Sequence, residues 1–112
     1  MTVTFSYYDE VVIVSTRKNL MGGKETEEFH QTVKDMISGN HAKIVADLSR
    51  VKWMNSKGLG ALMACFTSCR KAGGDFKIAG ATEKAKSLLM ITKLLTIFDA
   101  FDTTEEAVRS FK

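Results

Sequence analysis

Few side chains in this 112-residue chain belong to types that do covalent chemistry, and their spacing limits what they can do. The serine with the most suggestive surroundings is Ser56, in the stretch WMNSKGLGAL at 53–62. A serine nucleophile needs a base within hydrogen-bond reach, and the only histidines, His30 and His41, lie far from it in sequence. The stretch is not a G-x-S-x-G elbow either. Hydrolysis would require one of the two histidines to fold against Ser56. Cys65 and Cys69 stand four apart, on one face of a helical pattern, with too few other ligands for a metal; they read as small core residues. GLGALM holds two glycines of G-x-G-x-x-G, with Met63 where the third should be, and Lys57 precedes its glycine rather than following it as in a phosphate-binding loop. The carboxylate pairs Glu27/Glu28 and Glu105/Glu106 fall at helix starts, where the helix dipole favours them. The chain therefore reads as a non-enzyme with no cofactor and no metal.

What remains is binding, and the bulk numbers restrict the partner. Net charge is +3, from 16 Lys and Arg against 13 Asp and Glu. The cations mostly sit among acids (Lys24 with Glu25, Lys34 with Asp35, Glu83 with Lys84), which is a solvated surface rather than a nucleic-acid footprint. Hydrophobic residues make up 45% and charged residues 26%, an ordinary globular composition. The expectation is one domain over 1–112 that buries roughly two-thirds of its unfolded surface. No apolar run approaches the roughly 20 residues of a membrane span, and the opening MTVTFSYYDE lacks a basic region followed by an apolar one. A cytoplasmic protein without membrane insertion, a monomer or weak dimer, is expected.

Periodicity supplies the elements that must position any site. VTFSYY (3–8) alternates as a half-buried strand. Asp9-Glu10 turns it into VVIVS (11–15), giving a hairpin. RKNLMGG (17–23) is a loop. A helix runs from Lys24, with Phe29, Val33, Met36 and Ile37 on one face and Gly39-Asn40 as its stop. AKIVADL (42–48) reads as a buried central strand. A second helix follows the WMNSKGLGAL stretch, carrying Leu59, Leu62, Met63, Phe66 and Cys69 inward and ending at Gly73-Gly74. DFKIAGA (75–81) alternates as another strand. Thr82 and Glu83 start a helix through Ile91, with Leu88 and Leu89 inward. LLTIFDAF (94–101) predicts a short edge strand or extended segment, and TTEEAVRSF (103–111) a last helix capped by Thr103 or Thr104. The order β-β-α-β-α-β-α-β-α predicts a small α/β fold: a mixed sheet with an N-terminal hairpin, parallel central strands, and about four helices mainly on one face. The polar loop 49–58 falls at the carboxyl end of the central strand, where sites gather in such sheets.

DLSRVKWMNSKGLGAL (47–62) resembles the signature of the STAS domain of bacterial anti-sigma factor antagonists, D-L-S-x-V-x-x-[apolar]-[D/N]-S-[S/T]-G-L-[G/A]-x-L. Asp47, Leu48, Ser49, Val51, Met54, Asn55, Ser56, Gly58, Leu59, Gly60 and Leu62 meet it. The stretch from Arg70 to Val108 is similar to the family's later helices and strands as well. The resemblance implies a signalling protein that controls transcription through protein–protein contact. Its partner would be an anti-sigma factor of the serine-kinase type, with a phosphatase as a further partner. The partner-binding site would be Trp53, Met54, Asn55, Ser56, Lys57, Gly58, Leu59 and Gly60. An alternative within the family is an accessory subunit of a lipid or solute ABC transport complex.

The family's kinase phosphorylates the second residue of the S-[S/T] pair, and a phosphate there adds about −1.5 to −2 charges to the docking surface. In this chain that position is Lys57, which has no hydroxyl, so the usual switch is expected to be absent or altered. Ser56, one place earlier, reads as the N-cap of a helix beginning at Lys57, and is the hydroxyl left for phosphorylation. A cation at a helix start is unfavourable by about 0.3–1 kcal/mol. Lys57 either swings into water or supplies a fixed positive charge to a partner. Trp53, the single tryptophan, packs inward or anchors a partner, and Leu20 and Met21 extend the same surface.

Overall fold

The structure, a computed structural model, describes residues 3–111. Its sheet has five strands in sequence order: β1 (Val3–Tyr8), β2 (Val11–Thr16), β3 (Lys43–Asp47), β4 (Asp75–Ala79) and β5 (Ala100–Phe101). β1 and β2 form the expected antiparallel hairpin, Val3 opposite Thr16 and Tyr8 opposite Val11, with Asp9 in the left-handed region at φ 58°. The other neighbours are parallel, because each return passes through a helix. Those helices are α1 (Lys24–Ser38), α2 (Ser56–Lys71) and α3 (Glu83–Ile91); α4 (Thr104–Arg109) closes the order.

Strand alternation sorts the core into two layers. Val12, Val14, Ile44, Ala46, Phe76 and Ile78 point to the side of α1, α2 and α3, where Phe29, Val33, Leu62 and Leu89 meet them. Val11, Ile13, Val45 and Ala79 point the other way, against Ala107 and Val108 of α4. Three helices on one face and one short helix on the other is the arrangement the element order implied. The second layer also explains why β4 is buried on both faces rather than half-exposed.

The segment 94–101 departs from the expected strand. Leu94–Thr96 form a 3-10 turn after Lys93 adopts φ 62°, and pairing is confined to Ala100 and Phe101. Phe98 buries its ring there, 5.5 Å from Phe66 and 6.1 Å from Phe76.

Lys77 is the buried charge of the sheet, 7% exposed on the α4 side of β4. Its Nζ donates to Ser110 Oγ at 2.7 Å and Ser110 O at 3.3 Å, and lies 4.3 Å from the centre of the Phe111 ring. The ammonium thus ties down the end of α4. Removing one partner of a buried donor is more damaging than replacing the donor itself. Ser110→Ala should lower the urea midpoint by the equivalent of about 1–3 kcal/mol, and Lys77→Met should leave it nearly unchanged.

Candidate functional site

The chain leaves β3 at Asp47 and reaches α2 at Ser56 through a loop held on three sides. Thr82 donates its hydroxyl to the Val51 carbonyl at 2.7 Å. The Asn19 side-chain oxygen accepts from the main-chain N–H groups of Lys52 and Trp53, each at 3.0 Å. Leu20, buried, forms a parallel bridge with Met54: its N–H donates to the Trp53 carbonyl at 3.1 Å, and its carbonyl accepts from Asn55 N–H at 3.2 Å. The loop 17–23 therefore lies directly against the motif, with Met21 exposed beside it, but the Leu20 side chain is buried in the core and does not extend the surface as expected. Nothing in the spacing pointed to Asn19, because its partners are 33 and 34 residues away.

The helix start differs from expectation by one residue. Asn55, not Ser56, is the N-cap, and α2 begins at Ser56. Asn55 Oδ1 accepts from Lys57 N–H at 3.1 Å and Gly58 N–H at 3.0 Å, while its Nδ2 donates to the Met21 carbonyl at 2.9 Å. The amide does two jobs of opposite polarity. An aspartate could cap the helix but could not donate to Met21, which is a physical reason for asparagine at this motif position. Ser56 is left exposed.

The two motif glycines differ in kind. A Cβ on Gly58 would come within 2.0 Å of the Leu20 carbonyl oxygen, so only hydrogen fits there. Gly60 has open space around it and faces solvent. Lys57 is exposed, but its stem lies over Gly22: a Cβ on Gly22, whose φ is 91°, would fall 2.6 Å from Lys57 Cδ. Leu59 is buried and Met54 half-buried. Trp53 does not enter the core. It is 51% exposed, with Lys84 Nζ 3.2 Å from its ring centre. The surface the motif presents is thus Trp53, Ser56, Lys57 and Gly60, with exposed Met21 beside it.

Neither histidine is hydrogen-bonded to Ser56 among the described residues. His41 precedes β3 and stacks on Tyr7 at 5.1 Å, whereas Ser56 follows that strand. Five strand residues at about 3.3 Å each lie between them. His30 sits on α1 with its pKa lowered by burial and then by Lys34. Cys65 and Cys69 are buried, and desolvation pushes both thiols up to about 12, so they stay protonated and unreactive at neutral pH. No cluster of three metal-ligating side chains occurs among the described residues. No helix among them is long and apolar enough to cross a membrane.

Comparison with known proteins agrees with this geometry. The STAS domain model matches residues 5–107. A Thermotoga maritima protein described as a candidate anti-sigma factor antagonist is 28% identical over 109 residues, covering 96% of each chain. A Thermotoga neapolitana protein with the same description is 29% identical over 105 residues, or 93% of this chain and 92% of that one. The crystal structure of the Thermotoga maritima protein superposes with a TM-score of 0.90, covering 97% of this chain and 93% of its own. Phosphorylated SpoIIAA of Bacillus, at 15% identity and a TM-score of 0.76 over 98% of this chain and 99% of its own, shares the fold.

Two substitutions check the geometry. Gly58→Ala should destabilise by about 1–3 kcal/mol, the usual range for overpacking, and a smaller loss in chemical denaturation would contradict the contact with Leu20. Lys84→Gln should change stability by no more than about 1 kcal/mol, as befits an exposed cation–π pair. Because Trp53 is the single tryptophan, its fluorescence should become more accessible to acrylamide in that variant.

Proposed function

Since the chain belongs to the STAS domain family, we propose that it is an anti-sigma factor antagonist, a cytoplasmic domain that binds an anti-sigma factor and so controls sigma factor activity. The binding surface runs from Trp53 to Gly60. The observation that carries this reading is Gly60. A glycine inside a helix destabilises it by about 0.5–1 kcal/mol relative to alanine, and nothing packed against Gly60 requires one. A bare helix backbone three residues beyond an exposed lysine is a surface shaped for close approach by another molecule.

Lys57 gives that surface a fixed positive charge. Among the described residues, ion pairs join Lys43 to Glu10, Arg70 to Asp75 and Lys86 to Asp102, and none involves Lys52, Lys57 or Lys84. An acidic group on the anti-sigma factor is the complement. With no hydroxyl at position 57, the antagonist is permanently competent to bind rather than switched by a serine kinase and a phosphatase. The two Thermotoga relatives carry the antagonist description and match over nearly their whole length, which favours this reading over an accessory subunit of a transport complex.

Affinity capture from the native cell, with wild type beside variants, tests the proposal. The captured partner should be an anti-sigma factor, and its retention should fall as salt rises. Lys57→Glu should lose it, while Gly60→Ala should raise the melting midpoint and weaken capture. In the presence of ATP and a captured kinase, mass spectrometry should find no stoichiometric phosphate on residues 53–60; full modification of Ser56 would overturn the unswitched reading while leaving the partner class intact.

A further inference from the structure

On the far side of the sheet from α2 lies a polar recess of about 200 Å³. Its floor is a row across three strands: Thr4 of β1 stands opposite Ser15 of β2, and Ser15 opposite Asp47 of β3. The preceding positions on this face are Val11, Ile13 and Val45, in the layer that α4 completes. α4 packs on β3, β4 and β5, and this last row of the face turns polar instead of continuing the core. The rim comes from the loops after β2 and β3, which contribute Arg17, Ser49 and Arg50. Every lining residue is polar. The place, the carboxyl end of parallel strands, is where open α/β sheets hold ligands.

The charges define what fits. Arg17 and Arg50 are exposed, and neither takes part in an ion pair among the described residues. Asp47 is already engaged: Oδ2 accepts from Ser15 Oγ at 3.2 Å and Oδ1 from Ser49 N–H at 3.0 Å. Each carboxylate oxygen keeps a further lone pair for a hydroxyl donor. The hydroxyls of Thr4 and Ser49 have no hydrogen-bond partner among the described residues, whereas that of Thr16 is used by the main chain of Lys18. Two guanidiniums against one carboxylate make an anion site, and the planar fork of arginine matches phosphate oxygens. Sites for cofactors and drug-sized ligands are usually about 300–1,000 Å³, so a recess of this volume suits a ligand of a few carbon atoms.

We propose that this recess binds a small hydroxylated phosphate monoester, with its phosphate on Arg17 and Arg50 and a hydroxyl donating to Asp47. The site shares no residue with the proposed partner surface from Trp53 to Gly60. An amide-resolved NMR titration of the full chain with glycerol 3-phosphate, inorganic phosphate and glycerol, at constant ionic strength, tests it. Glycerol 3-phosphate should give saturable shifts confined to residues 4, 15–17 and 47–50, with inorganic phosphate weaker and glycerol without effect. The double variant Arg17→Gln, Arg50→Gln should weaken both phosphates about tenfold or more, the loss expected for charge-assisted bonds. Asp47→Asn, checked for folding by circular dichroism, should remove the preference for the ester. Shifts that do not saturate, or that persist unchanged in the double variant, would overturn the site; equal affinity of wild type for ester and inorganic phosphate would overturn the role of Asp47.

Discussion

The approach of the Leu20 main chain to the start of α2 governs the architecture of the candidate partner surface. Leu20 bonds Trp53 through its N–H and Asn55 through its carbonyl, and that carbonyl fills the space a side chain on Gly58 would need. Other features of the motif follow from this contact. Asn55 must both cap the helix and hold the neighbouring Met21 carbonyl, which asks for an amide. Gly22 must leave room for the stem of Lys57. The motif is the seam between two chain segments, and what faces outward is whatever the seam does not consume.

The electrostatics of that seam are unusual for this molecule. α1, α3 and α4 each carry acidic residues in the first turn, as the helix dipole favours, whereas α2 has none and carries Lys57 as its second residue. The Asn55 oxygen supplies the acceptor that an acidic side chain would otherwise offer, and the lysine stem gains packing against Gly22 in return for the exposed charge. The helix remains capped while its start points a cation outward. A cation fixed there attracts a carboxylate and repels another cation.

Much of the fold was legible because it rests on local patterns. Alternation in 3–8, the apolar run 11–15 and the Asp9-Glu10 turn between them pointed to the hairpin, apolar periodicity to α1 and α2, and Thr82 and Thr103 cap the helices that follow them. At 94–101 the expected short edge strand is confined to Ala100 and Phe101, and no local pattern marked the 3-10 turn that precedes it. At the site, the motif marked the right loop, but capping fell to Asn55 because its oxygen reaches two amides at once. Asn19, Thr82 and Lys84 were invisible as site residues, since their contacts cross between segments and leave no spacing behind. The same holds for the row Thr4, Ser15 and Asp47: a serine late in an apolar strand looks like a simple strand end until the neighbouring strands align beside it.

The bonds from Asn19 and Met21 to residues 52–55 span 33 to 34 positions, enclosing all of α1 and β3. Closing so long a loop draws on chain entropy that a hairpin or a single helix does not. A chain that has formed the β1–β2 hairpin and α1, but has not yet docked β3, can cap α2 locally through Asn55 but lacks the bonds that tie residues 52–55 to Asn19 and Met21. The candidate surface is therefore built from contacts distant in sequence, and whatever binds there meets two chain segments held side by side rather than one local motif.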